Sequence, residues 1–114
     1  MENVKSVYYY FDMLSNMKLG HSFKDYICPD SIEKYADYLK NEKGCDMVIC
    51  LSHLGYGEDK DLASQVRNVD LIVGGHTHTL LHKKQLVKNP DGEDVVVVQN
   101  WKWGLNMGHL TIDF

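Results

Sequence analysis

The sequence predicts an α/β fold with a mixed sheet, and three observations support this assignment. Two continuous apolar runs, residues 47–51 and residues 70–73, have the composition of strands that are covered on both faces. Segments with helical apolar spacing precede and follow the first run, so the order is strand, helix, strand, helix, strand. A turn sequence near residue 90 joins two further β-rich runs and predicts a C-terminal β-hairpin. This order indicates at least some parallel pairing in the sheet.

The first third of the chain predicts one strand and one helix. Residues 7–11 (Val-Tyr-Tyr-Tyr-Phe) are β-branched and aromatic, which favours a strand. Asp30 predicts a helix N-cap, with Glu33 as its capping-box partner. Gly44 stands where a C′ glycine is expected after the last helical turn. Four residues between these positions fall at i, i+3, i+4 and i+7 and share one helical face: Ile32, Tyr35, Ala36 and Leu39.

The rest of the chain predicts a second helix and three more strands. Residues 59–67 carry apolar side chains at helical spacing, and the charged run 58–61 is expected to be a solvated helix start. Residues 85–88 and 95–99 flank Asn-Pro-Asp-Gly, which predicts the hairpin. Residues 108–114 alternate between apolar and polar types, which predicts a last strand.

The composition allows one globular domain and argues against several classes of partner. The chain has 114 residues, of which 44% are hydrophobic and 25% are charged. Its net charge of −4 argues against a nucleic-acid or anionic-membrane surface. No apolar run approaches the roughly 18 residues of a membrane span, and the first residues lack the pattern of a signal peptide. Three cysteines without paired spacing predict neither a disulfide framework nor a zinc site, and Cys50 is expected to be buried.

Three histidines follow the two buried runs. His53 comes after the first run, and His76 and His78 come after Gly-Gly at the end of the second. Ligands of open α/β sheets bind beyond the carboxyl ends of parallel strands, so all three should lie at that edge. In an extended backbone, residues i and i+2 point to the same side, about 6.5–7 Å apart. His76 and His78 can then bind one metal ion or two adjacent ions, although an ordinary loop role remains open for each histidine.

The two histidine segments are similar to known metal motifs. Residues 50–55 (Cys-Leu-Ser-His-Leu-Gly) and residues 70–79 (Asp-Leu-Ile-Val-Gly-Gly-His-Thr-His-Thr) resemble the last two metal motifs of the calcineurin-like metallophosphoesterases, in the 5′-nucleotidase branch. The helix between them and residues 97–110 also resemble that branch. The resemblance covers roughly residues 23–114 and implies half of a four-layer α/β/β/α sandwich.

The resemblance also implies a set of metal ligands. His53 and His76 would bind one divalent ion, and His78 would bind the second ion of a dinuclear centre. The identity of the metals stays open, because imidazole suits zinc and several other transition metals, and manganese is suited beside carboxylates. In this family the ions hold a phosphate and activate a water or hydroxide for in-line attack. No catalytic or substrate-binding residue of this chain is assigned.

The acidic part of the family's metal site is missing. Its first motifs are Asp-x-His, Gly-Asp-x-x-Asp and Gly-Asn-His-Asp/Glu, and the sequence contains none of them. We therefore expect residues 1–114 to be the C-terminal part of the catalytic domain, without its N-terminal metal motifs and without the nucleotide-binding domain. Otherwise a dimer, or an acidic residue of this chain such as Asp25, Asp46 or Asp59, would have to complete the site. Asp59 is also a candidate for a position behind the metal ligands.

Two functions from different classes follow. The first is a fragment of a metal-dependent phosphomonoesterase of the 5′-nucleotidase type, inactive alone, whose partners are a nucleotide or other phosphate ester and the missing N-terminal half. The second is a non-catalytic module of the same fold that binds metal or serves in assembly. A half-sandwich would expose an apolar face, which favours self-association. The compartment stays open, although complete relatives are often periplasmic or exported.

The remaining histidines and tryptophans have weaker patterns. His21, His82 and His109 lack partner spacing and are expected to be structural or exposed. Trp101 and Trp103 alternate around a lysine, which predicts one face of a strand. They would pack in the core or, alternatively, line the mouth of the site.

Overall fold

A computed structural model describes residues 7–11 and 29–113 of the chain. His21, Asp25 and Cys28 lie outside these residues, as does Phe114, the last residue of the predicted final strand. In the described part, the strands are β1 (Val7–Phe11), β2 (Met47–Leu51), β3 (Leu71–Gly74), β4 (Gln85–Lys88) and β5 (Asp94–Gln99). The helices are α1 (Pro29–Asp37), which continues into a π-helical turn (Tyr38–Glu42), and α2 (Tyr56–Gln65).

The strands form one mixed sheet in the order β1-β2-β3-β5-β4. Strands β1, β2, β3 and β5 are parallel to one another, and β4 pairs antiparallel with β5. The predicted α/β class, parallel pairing and C-terminal hairpin are therefore confirmed. Because β2 and β3 are adjacent and parallel, the loops that leave their carboxyl ends lie side by side.

Both helices pack on one face of the sheet. Ile32 and Ala36 of α1 and Leu62 and Ala63 of α2 belong to a single buried cluster. The strand side chains in the same cluster alternate along the sheet: Val48, Cys50, Ile72, Val95 and Val97. Side chains of the opposite face are also apolar, and they are Ile49, Leu51, Leu71, Val73, Val96 and Val98. The sheet is thus apolar on both faces, as expected for a layer that is covered twice.

Helix α1 differs from its prediction at its start and along its face. It begins at Pro29, so Asp30 lies in the first turn and does not cap the helix. Proline suits the first helical position because its φ is already helical and its missing N–H is not needed there. The side chain of Tyr35 is 52% exposed, so the buried face is narrower than predicted. Gly44 has a φ of 68°, which agrees with its predicted place after the helix.

Helix α2 lies earlier in the chain than its prediction of residues 59–67. Gly55 has a φ of 111° and redirects the chain, so the helix starts at Tyr56. The helix ends at Gln65, because Val66 is already extended. The buried side chain of Val66 still reaches the core from that extended position. Its helical spacing in the sequence therefore reflects burial and not helical backbone.

The end of the chain does not form the predicted last strand over residues 108–113. A strand needs a neighbour for its backbone groups, and β4 already occupies the edge beside β5. Residues 106–110 instead line a cleft of about 730 Å³ beside residues 80–84. No helix within the described ranges is both long and apolar enough to cross a bilayer.

Candidate metal centre

The loops that follow β2 and β3 bring two of the predicted ligands together. The ring centroids of His53 and His76 are 5.2 Å apart, and the ring planes meet at 67°. Both side chains are exposed at the carboxyl edge of the sheet. A neutral imidazole is a good ligand for divalent transition metals, so this pair fits one side of a metal site.

The backbone around His76 and His78 is not extended, contrary to the prediction. The φ angles of these two residues are 77° and 53°, in the left-handed region that non-glycine residues seldom adopt. The i and i+2 side chains therefore do not share a side in the way that a strand would place them. Such backbone strain concentrates at functional sites. The ring of His78 lies 6.3 Å from the ring of Trp103.

The two glycines before His76 provide space and not the turn itself. Neither Gly74 nor Gly75 has a positive φ. The left-handed positions of this loop are taken by His76 and His78. A Cβ atom at Gly75 would lie 3.1 Å from Nδ1 of His53. The absence of a side chain there lets the two histidine loops approach each other.

The two tryptophans do not behave as strand residues. Trp101 and Trp103 have φ angles of 59° and 58°, and the Trp103 side chain is 78% exposed. The Nζ atom of Lys102 lies over both rings, 5.2 Å and 4.2 Å from their centroids. The prediction of core packing is therefore wrong for Trp103, whose ring instead lies beside the ring of His78.

A buried polar network lies behind the histidine loops. The side chains of Asp59 and Gln99 are 0% and 2% exposed. Ser52 Oγ donates a hydrogen bond to Asp59 Oδ1 at 2.5 Å and accepts one from the backbone N–H of Leu54. Gln99 Oε1 accepts hydrogen bonds from the backbone N–H of Thr79 at 2.6 Å and from Thr77 Oγ1 at 3.1 Å.

The sequence anticipated one part of this network. It allowed Asp59 either a solvated helix start or a position behind the metal ligands, and the buried carboxyl lies behind the histidine loops. Nothing in the sequence distinguishes Gln99 at the end of its strand. The signal that could have found Gln99 is a polar residue on the inward face of a strand whose other inward residues, Val95 and Val97, are apolar. Burial raises the pKa of Asp59 from 3.8 to about 6, despite the hydrogen bond from Ser52, which lowers it.

The described residues alone do not form a complete metal site. Among residues 29–113, no three His, Cys, Asp or Glu side chains are grouped so that they could hold an ion. Asp46 is exposed and precedes β2, at the end of the strand opposite to His53, so it cannot complete the site. The imidazole pair fits a divalent metal, whereas a dinuclear centre would need carboxylates from elsewhere. The assignment of His53, His76 and His78 as ligands stays a prediction.

The other two described histidines lie away from the pair. His82 and His109 are exposed and line the cleft beside residues 80–84. The residues that line this cleft include Gly74 and Gln99 but none of the three predicted ligands.

Comparison with curated proteins identifies relatives across most of the chain. A snake venom 5′-nucleotidase from Gloydius brevicauda is 33% identical over 115 residues, which covers 90% of this chain. The human 5′-nucleotidase is 33% identical over 114 residues, which covers 89% of the chain. The chain belongs to the 5′-nucleotidase family of metallophosphoesterases. No family model matches it.

Three further proteins are similar to this chain in sequence or structure. The trifunctional nucleotide phosphoesterase protein YfkN of Bacillus subtilis is 37% identical over 76 residues, or 67% of this chain. The structure of a 5′-nucleotidase precursor from Thermus thermophilus matches 68% of the chain with a TM-score of 0.63 and 43% identity. The structure of the NAD nucleotidase NadN from Haemophilus influenzae matches 67% of the chain with a TM-score of 0.61 and 29% identity.

The chain is much shorter than these relatives. It spans 19% of the length of the Gloydius and human enzymes and 5% of YfkN. It covers 18% of each of the two solved structures.

Proposed function

We propose that this chain is the C-terminal part of the catalytic domain of a divalent-metal-dependent phosphomonoesterase that hydrolyses nucleoside phosphates. The observation that carries the proposal is the meeting of His53 and His76 at the carboxyl edge of the sheet. The relatives that are 5′-nucleotidases support the substrate class.

In this proposal the chain contributes imidazole ligands and the frame that holds them. His53 and His76 bind one ion, and His78 binds the other. When bound, the metals lower the pKa of a coordinated water and neutralise phosphate charge. The exposed ring of Trp103 lies beside His78, where it would border the second metal site. The metals stay unassigned, with zinc and manganese both suited to such ligands.

The acidic ligands come from the missing N-terminal half in this proposal. Of the acidic candidates in the described part of this chain, Asp46 lies at the wrong end of β2 and Asp59 is buried behind the loops. Without carboxylates, imidazoles alone cannot balance the charge of two dications. The chain alone is therefore inactive.

A second function is a non-catalytic module that keeps the fold and serves in assembly. Both proposals agree with the lack of a three-residue metal group within residues 29–113. The two proposals differ in whether a complementary N-terminal half restores turnover.

The test combines metal binding with complementation. The chain is mixed with the N-terminal half of the catalytic domain of the Thermus thermophilus 5′-nucleotidase, which matches it at 43% identity. Zinc and manganese binding are measured by calorimetry, and phosphate release is measured from nucleoside monophosphates. His76→Ala is compared with His82→Ala, because His82 is an exposed histidine that lines a different surface.

We expect no phosphate release from the chain alone. It lacks the Gly-Asn-His-Asp/Glu motif, whose histidine would protonate the leaving group, and loss of such a proton transfer by itself costs about 10²–10⁴-fold. Turnover should appear in the mixture and survive His82→Ala but not His76→Ala. A folded mixture that binds no metal and shows no turnover would favour the non-catalytic module. Metal-dependent hydrolysis by the chain alone, abolished by His78→Ala, would contradict the fragment assignment.

A further inference from the structure

Two buried side chains behind the histidine loops each have one polar atom without a partner among the described residues. These atoms are Oδ2 of Asp59 and Nε2 of Gln99. Both side chains are almost fully buried, so the groups are also removed from water. A buried polar group without a partner costs about 1–3 kcal/mol, and a charged group costs more. Such a cost at two neighbouring positions needs an explanation.

The orientation of the Gln99 amide follows from its contacts. Its oxygen accepts a hydrogen bond from the backbone N–H of Thr79, which can only donate. The amide nitrogen must therefore point away from the His76–His78 loop and into the interior. It is a donor, whereas the unpaired oxygen of Asp59 is an acceptor.

The donor and the acceptor lie around the same small space beside Gly74. An ideal Cβ at Gly74 would lie 2.1 Å from Asp59 Oδ2 and 3.4 Å from Gln99 Nε2. No side chain fits at this position of β3 without displacing the Asp59 carboxylate. Glycine thus leaves the space between the two groups open.

Each side chain is also hydrogen-bonded to a different histidine loop. Asp59 accepts a hydrogen bond from Ser52, the residue before His53, through its other oxygen. Gln99 accepts hydrogen bonds from Thr77 and Thr79, which flank His78 and follow His76. Thr77 Oγ1 further accepts a hydrogen bond from the backbone N–H of Tyr56 at the start of α2. The Asp59–Gln99 pair therefore stands between the two loops that carry the predicted ligands.

We propose that Asp59 and Gln99 are positioning residues for the metal ligands. A small shift of the two loops would let the Gln99 amide donate to the Asp59 carboxylate across Gly74. This contact sets the separation of His53 from His76 and His78. The assignment of a ligand role to these histidines rests on the proposed function, whereas the coupling of the two loops does not.

The test is a swap of donor and acceptor. Asp59→Asn keeps an oxygen for Ser52 but presents an amide to the Gln99 amide, so two donors face each other. Gln99→Glu keeps an oxygen for Thr79 but presents a carboxylate to Asp59. When both substitutions are combined, the new amide at position 59 donates to the new carboxylate at position 99, which restores a complementary pair. Asp61→Asn is the matched control, because Asp61 is an exposed aspartate of the same helix.

Two readouts are measured in the chain complemented with its N-terminal half, and thermal melts confirm folding. We expect each single variant to lower zinc affinity about 10-fold or more, as for other residues that orient ligands. The double variant should recover most of this loss, and Asp61→Asn should bind as the unmodified chain does. Amide hydrogen exchange of Leu54 and Thr79 should speed up in both single variants and slow again in the double variant.

The outcomes separate the two proposals. If the losses of the single variants simply add in the double variant, the pair is not coupled and the inference is wrong. If the unmodified assembly binds neither zinc nor manganese, the proposed function fails, and amide exchange alone then decides the coupling. Exchange at Leu54 and Thr79 that is unchanged in the single variants would overturn the inference.

Discussion

The charge state of Asp59 illustrates how burial acts on a single residue. Desolvation is the largest cause of its raised pKa, and the charge of Glu58 raises it further. The hydrogen bond from Ser52 acts in the opposite direction and favours the charged form. The net pKa of about 6 lies well above the ordinary value of 3.8. The folded protein therefore holds this proton more tightly than the unfolded chain does.

This difference predicts a pH dependence of stability. Below pH 3.8 Asp59 is protonated in both the folded and the unfolded state, so its contribution to the free energy of unfolding is fully present. As the pH rises through about 6, the folded state must ionise a buried group and this contribution is lost. The loss is at most ~3 kcal/mol, at about 1.4 kcal/mol per pKa unit. As the pH rises from 3.8 to about 6, we expect the free energy of unfolding of Asp59→Asn to increase relative to that of the unmodified chain.

Denaturant unfolding at a series of pH values checks this expectation. Asp61→Asn serves as the control, because its exposed side chain has no reason to titrate differently on folding. Parallel stability curves for Asp59→Asn and the unmodified chain would show that Asp59 does not carry the effect.

At the scale of elements, the β4–β5 hairpin depends on one side chain in its turn. Asn89 is buried, and its Oδ1 accepts hydrogen bonds from the backbone N–H groups of Asp91 and Glu93 at 2.9 Å and 3.0 Å. Its backbone carbonyl also accepts a hydrogen bond from Gly92, which has a φ of 77°. The side chain thus closes the turn that the sequence predicted.

We expect Asn89→Ala to destabilise the fold by about 1–3 kcal/mol, because two backbone N–H groups lose their acceptor. Asn89→Asp retains an acceptor oxygen and should lose less than half as much. Urea unfolding of both variants measures the difference. Equal losses would mean that the side chain acts through packing and not through its hydrogen bonds.

At the scale of the whole molecule, the two faces of the sheet differ in whether the described helices cover them. Both described helices pack on the face that carries Val48, Ile72 and Val97. The opposite face is also apolar, and Leu86 on its edge strand is 54% exposed. Ile49 and Leu71 of this face are buried, so its exposed apolar surface lies at the edge near Leu86, and exposed apolar surface at a sheet edge favours association.

We expect the isolated chain to self-associate through this second face. Sedimentation over a wide concentration range should show a rising average mass, which Leu86→Lys should reduce by placing a charge on the edge strand. Met107→Lys is the control, because Met107 is exposed but lies outside the sheet. Addition of the complementary N-terminal half should also suppress the rise. A monomer at every concentration would contradict the expectation.

Local patterns in the sequence determined most of the elements and the place of the histidines. The bounds of β2 followed from an apolar run that ends at Leu51, and the hairpin followed from its turn residues. The parallel order of β2 and β3 then required His53 and His76 to leave the same edge of the sheet. These features depend on the residue types of a short segment, together with the chirality of strand connections.

Only the tertiary structure decided which polar groups are buried and which apolar segments find a partner. Residues 108–113 alternate like a strand, but the place beside β5 is occupied by β4. Asp59 lies in a charged helix start, yet its side chain is fully buried and is hydrogen-bonded to Ser52 after β2. Gln99 and Gly74 acquire a role only because β3 and β5 are neighbours. Burial depends on residues that are distant in the chain, so no local pattern contains it.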